Sequence, residues 1–178
     1  MAAAAICCAA LLLTAPTQAH AGSQKCGNAT ATLGDGKKKV RNGVECLIAK
    51  ARTKAHRHSL KKDGSVRGVS KAHAKTMVKT NCFRHVCTGE GSIQTRLKES
   101  GYLDGVRTYG FGEDTGCAKT PKAMVTAWLE SGYHRKNLLG RKFRDIGTGI
   151  TKGAPEVQPA CQGKGFMTFS VLFTWRKG

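Results

Sequence analysis

The placement of the cysteines constrains this chain more than any other feature. Of its eight, Cys7 and Cys8 fall in residues 1–21, a stretch with no Lys, Arg, Asp or Glu. Within it, Ala2 to Leu13 is an unbroken apolar run, and Gln18-Ala19-His20-Ala21 sets small residues where a signal peptidase requires them. This reads as a secretory signal peptide cleaved after Ala21, and the run is too short to span a bilayer. Six cysteines then remain: Cys26, Cys46, Cys82, Cys87, Cys117 and Cys161. An even number in an exported chain predicts three disulfides, whereas the CxxC and paired Cys–His clusters of a zinc site are missing from the mature chain. Sequence leaves several connectivities open. The expected set is Cys26–Cys46, tying the N-terminal coil to the first helix, and Cys82–Cys87, closing a small loop, which leaves Cys117–Cys161.

With 178 residues the chain can bury one substantial core. Past the leader no apolar run reaches the roughly 18 residues of a spanning helix. The 30 Lys and Arg against 11 Asp and Glu give a net charge of +19. The imbalance peaks at residues 37–79, which hold 14 Lys and Arg and only Glu45 and Asp63 as acids. Such a field attracts anionic cell-envelope polymers or lipids. Nucleic acid is the weaker partner, because few aromatics lie among the basic residues to stack on bases.

Residues 22–37, rich in Gly, Ser, Thr and Asn, read as an extended arm ahead of a domain spanning 38–178. Val40, Val44, Leu47, Ile48 and Ala51 recur at helical spacing. After a polar connection ending in Asp63-Gly64, a second helix is predicted over Ser65 to Lys79, with Val69, Ala72, His73, Thr76 and Met77 on one stripe. Ser92 can cap a third helix stopped by Gly101, and Thr120-Pro121 opens a fourth carrying Met124, Val125, Trp128 and Leu129. Strands come late: a short one at Tyr109–Glu113, an alternating one at Asp145–Ile150, and the clearest at Phe166–Trp175. Helices first and strands last predict an α+β domain with an antiparallel sheet.

His56 and His58 lie in the basic connection and read as solvated, while His73 reads as a packed core histidine. His85 and His134 each follow a helix-like segment beside a turn, where side chains tend to face clefts. Glu113 sits in the glycine-rich Gly110–Gly116, and Glu90 follows His85 by five residues. Two His and two Glu converging would make a divalent-metal site, zinc for example, or an acid–base pair; a structural hydrogen-bonded network would leave the same trace. The chain has no GxSxG elbow, HExxH or P-loop.

Five segments in order carry a resemblance: Val44–Arg52, His73–Met77 with Asn81–His85, Gly112-Glu113-Asp114, Ala127–Leu139, and Phe143–Gly149. Together they resemble the bacterial branch of the CAP superfamily (cysteine-rich secretory proteins, antigen 5 and pathogenesis-related proteins), also called SCP domains. The resemblance implies an α-β-α sandwich around a small antiparallel sheet, and a cleft holding a His/Glu tetrad that binds divalent metals in some members. Position by position, His85, Glu113 and His134 match the tetrad and Glu90 takes the remaining acidic place, with His85 and His134 as metal ligands. Asp114 stands where the family usually has Asn, Arg84 where it has a small residue, and Tyr133 where it has Gly. Arg84, Arg135 and Lys136 are expected to oppose a bound cation and to disfavour imidazolium. The expected function is a secreted, monomeric and non-enzymatic domain, its cleft holding a small ligand or metal and its basic face holding anionic surfaces. The alternative is a metal-dependent secreted hydrolase working from the same cleft.

Overall fold

A computed structural model describes residues 25–178. The expected leader, its cleavage point after Ala21, and Cys7 and Cys8 lie outside the described residues. Helix α1 (Lys37–Lys54) buries Val40, Val44 and Ile48 at a spacing of four residues. After the two-residue strand β1 (Lys61–Lys62) comes α2 (Gly64–Lys79). It is capped by Asp63, whose side chain accepts from the Val66 N–H at 3.0 Å. Ser92 caps α3 (Ile93–Glu99) in the same way. Strand β2 (Thr108–Ala118) leads to α4 (Pro121–Glu130), where Thr120 accepts from the Ala123 N–H and proline occupies the first turn. Ser131 breaks that helix, and α5 (Gly132–Leu138) follows. Strands β3 (Asp145–Lys152) and β4 (Met167–Lys177) complete the chain.

The sheet order is β1-β3-β4-β2. Strand β4 runs antiparallel to β2 on one side and to β3 on the other. The sheet is mixed rather than wholly antiparallel, because β1 lies parallel to β3 over Lys61↔Asp145 and Lys62↔Ile146. Two exposed lysines carry no hydrophobic alternation, so nothing in their pattern announces a strand.

Helices α1, α4 and α5 cover one face, packing Val44, Met124, Trp128 and Leu138 on Ile146, Ile150, Phe169 and Phe173. Helices α2 and α3 cover the other, where Val66, Val69 and Leu97 meet Leu172. The result is an α+β, three-layer arrangement. Helix α2 approaches β3 so closely that a Cβ on Gly147 or Gly149 would overlap its backbone at Val66 and Ser70. The contact is completed by the Ser70 hydroxyl, which donates to the Gly147 carbonyl at 3.0 Å.

Disulfides join Cys26 to Cys46, Cys82 to Cys87 and Cys117 to Cys161. The described part of the stretch read as an extended arm, residues 25–36, is turned instead. A 3-10 turn spans Leu33–Asp35, and the Thr32 N–H and hydroxyl both donate to Asp35. Among the described residues no helix is long and apolar enough to cross a membrane.

Candidate functional site

The site assembles along β2, an edge strand of the sheet. Successive strand residues face opposite sides, so Glu113 and Asp114 are divided between the two layers. Glu113 pairs in register with Leu172 on the α2 side, and Asp114 with Val171 on the α4 side. On the α2 side the Glu113 side chain is fully buried. Its Oε1 accepts from the Ser170 hydroxyl at 2.9 Å, and its Oε2 lies 2.9 Å from His85 Nδ1.

His85 sits on the loop closed by Cys82–Cys87. The buried Arg96 of α3 fixes that loop by donating to the His85 carbonyl at 2.6 Å. Glu90, three residues past that loop, turns back and accepts from the Cys87 N–H at 2.8 Å. It also lies 3.7 Å from Arg96.

His73 is the residue that sequence reasoning missed. Taken as a packed core histidine, it is indeed fully buried on α2, but it stands between the two acids. Its Nδ1 is 2.7 Å from Glu90 and its Nε2 is 3.6 Å from Glu113. Neither approach is in line with a ring N–H, so these are close contacts rather than aligned hydrogen bonds. The available signal was chemical: a histidine on a buried helix face needs a polar partner, and this chain has few acids to offer.

His134 comes from the other layer. Ser131 caps its helix by accepting from the His134 N–H at 3.4 Å. Buried Arg52 of α1 holds the far end of α5 through the Leu138 carbonyl at 2.7 Å. The His134 ring packs edge-on against exposed Tyr133 and makes no hydrogen bond among the described residues.

The two imidazoles differ electrostatically. The hydrogen bond to Glu113 raises the His85 pKa above its ordinary 6.5, against an opposing effect of burial. Burial, and next the charge of His85, lowers that of His134. The expectation that flanking cations would disfavour imidazolium at both positions therefore fails at His85. Arg84, Arg135 and Lys136 are exposed to solvent, and the cation that bears on His85 is Arg96. Asp114, fully buried, is pushed up to about 7 by desolvation, although Asn137 donates to its Oδ1 at 2.8 Å.

Of the four expected residues, His85 and Glu113 are in direct contact, while Glu90 meets His73. Both Glu113 oxygens and Glu90 Oε1 are already engaged, which leaves His85 Nε2 and the His134 ring as the open donors. Among the described residues, His73, Cys87 and Glu90 bring metal-type atoms within 4.8 Å of one another. Cys87 is bonded to Cys82, so that trio offers no thiolate.

Two proteins of Bacillus subtilis (strain 168) match about half of the chain. An uncharacterized membrane protein, YlbC, is 33% identical over 85 residues, and an uncharacterized protein, YkwD, is 34% identical over 83. The matched stretches cover 23% and 31% of those proteins, so the chain spans less than a third of either. Among solved structures, an outer surface protein from Borrelia burgdorferi superposes with a TM-score of 0.62 at 22% identity, over 79% of this chain and 95% of that one. An extracellular protein containing a SCP domain from Bacillus anthracis gives 0.57 at 22%, over 77% of this chain and 43% of that one. These two share the fold. Residues 47–168, well over half of the chain, match the family described as CAP, the cysteine-rich secretory protein family, and the chain belongs to that family.

Proposed function

We propose that this is a secreted CAP-domain protein that acts by binding rather than by catalysis. The cleft along β2 takes a small ligand or a divalent cation such as zinc through His85 and His134. The basic surface of residues 37–79 holds the protein on anionic envelope polymers or lipids. Three disulfides suit an oxidising compartment outside the cytosol.

The observation that carries the cleft reading is the His85–Glu113 pair. A buried carboxylate fixes the ring through Nδ1, while the side chain stays 44% exposed. This is how a second carboxylate sets the tautomer and basicity of a ligating imidazole. His134, whose pKa burial lowers, offers a second nitrogen. A divalent cation would be held by His85 Nε2 and the His134 ring and would supply a positive centre there, with Glu113 fixing the His85 ring from its Nδ1 side.

A second reading, a metal-dependent secreted hydrolase, draws on the same pair, with Glu113 and His85 as acid and base. Its nucleophile would be a water activated by the metal, since no activated side-chain nucleophile stands at the cleft among the described residues. The Ser170 hydroxyl is buried and donates to Glu113, and the six described cysteines are bonded.

Calorimetric titration of Zn²⁺ into chelator-stripped, oxidised protein tests the cleft. Saturable one-to-one binding is expected, weakened at least about tenfold by His85→Ala and by His134→Ala, the loss of one of two ligands. No saturable heat, or binding indifferent to both substitutions, overturns it. Casein turnover that disappears in Glu113→Gln would favour the hydrolase.

A further inference from the structure

Strand β1 covers only the first two residues of β3, so beyond Ile146 that side of the sheet is open. A cavity of about 310 Å³ lies there, between the start of α1, the first half of α2 and β3. Its lining is Lys37 and Arg41 from α1, Arg67 and Lys71 from α2, and Thr148 and Ile150 from β3.

Four cations share this groove, and no acid lines it. Lys37, Arg67 and Lys71 form no ion pair among the described residues. Arg41 has only a loose contact with Glu45, at 3.9 Å, and Glu45 is held more closely by Lys62 at 2.9 Å.

A second observation is independent of charge. Thr148 is 2% exposed, and its hydroxyl has no hydrogen-bond partner. An unpaired buried hydroxyl is costly and calls for a partner. Thr148 is one of the residues that line this groove, among its donors. A ligand matching this set carries at least one negative charge and accepts hydrogen bonds on several sides. Phosphate oxygens do so, and the two arginine forks suit them geometrically.

We propose that this groove is a phosphate-binding site, separate from the His/Glu cleft. Arg41, Arg67, Lys37 and Lys71 neutralise the charge, and the Thr148 hydroxyl donates to one oxygen. The groove is the point at which the basic surface reads an individual phosphate group, free or in a lipid headgroup, and in that sense the inference rests on the anionic-surface reading above. Its volume exceeds what one phosphate fills, leaving room for the group that bears it.

The test is titration of inorganic phosphate into ¹⁵N-labelled oxidised protein at constant ionic strength, with chloride as the control. Saturable shifts are expected at Arg67, Lys71 and Thr148. Arg67→Gln with Lys71→Gln should weaken binding at least about tenfold, and Thr148→Val by roughly tenfold, the loss of a hydrogen bond to a charged group. Thr148→Val removes only the unpaired hydroxyl, so the variant should fold and melt no lower than the parent in phosphate-free buffer. At the same concentration, phosphate should then raise the melting temperature of the parent more than that of the variant. Shifts reproduced by chloride, or binding indifferent to all three substitutions, overturn the site.

Co-sedimentation with phosphatidylglycerol vesicles separates the two readings. Vesicle binding that survives the three substitutions leaves the basic surface standing and removes this groove from lipid recognition. Phosphate binding without vesicle binding keeps the site as one for free phosphate and removes lipid from the surface reading.

Discussion

Replacing Asp114 by asparagine should change how stability depends on pH more than it changes stability itself. Asp114 is fully buried, and burial raises its pKa from 3.8 to about 7. The folded state then binds a proton that the unfolded chain has released. Stability contributed by this group is intact below about pH 4 and falls as pH rises towards 7, at about 1.4 kcal/mol per pH unit. Over that window the loss is about 4 kcal/mol, a large part of a typical domain's stability. Asparagine has nearly the same shape, and its amide oxygen can still accept from Asn137, which now donates at 2.8 Å. Its NH₂ would replace Oδ2, an atom without a partner, at a cost that does not vary with pH. Urea unfolding of both proteins, followed by tryptophan fluorescence between about pH 4 and pH 8, isolates the term. The stability of Asp114→Asn relative to the parent should rise by several kcal/mol across the range, on the order of the loss worked above. A difference independent of pH would mean that the carboxyl is ionised throughout, and would refute the argument from burial.

Other outcomes follow from the same contacts. Glu113→Gln should lower the His85 pKa, since the hydrogen bond from that carboxylate is the main cause of its rise. A raised histidine pKa stabilises the fold fully below about pH 6.5 and loses its effect as pH climbs through the folded value. The substitution should therefore cost more stability at low pH than at high, as denaturant titrations at the two extremes would read. Gly149→Ala drives a methyl into the Ser70 carbonyl of α2 and should cost at least about 1–3 kcal/mol. Gly68→Ala, on the open side of the same helix, should gain about 0.5–1 kcal/mol by thermal unfolding. Removing Cys117–Cys161, 44 residues apart, should cost about 4 kcal/mol, against about 2 for Cys82–Cys87, 5 apart, on the loop-closure argument.

What could be read from sequence was local. Ser92 and Thr120 cap helices within a few residues of themselves, so the starts of α3 and α4 needed no tertiary information. The long alternation ending at Trp175 marked β4 for the same reason. The site was legible only in part, because it depends on how layers meet. His73 is separated in sequence from Glu90 and Glu113, and only the approach of α2 to β3 over Gly147 and Gly149 brings the three together. The division of Glu113 and Asp114 between the two sheet faces was hidden for another reason. A strand expected to end at Glu113 runs on to Ala118, and only its register with β4 shows which side each acid takes. Arg96 could not be found by motif at all. It braces His85 and Glu90 from a short helix whose position no spacing rule supplies.

Buried Glu113 orients the His85 ring and raises its pKa, whereas burial lowers that of His134 across β2. Histidine-ring NMR on metal-free, oxidised protein tests this most directly, by following each ring through its titration and reading its tautomer. His85 should titrate above 6.5 with its proton retained on Nδ1 in the neutral form, and His134 below 6.5. The two rings titrating together near 6.5, or in the opposite order, would contradict it.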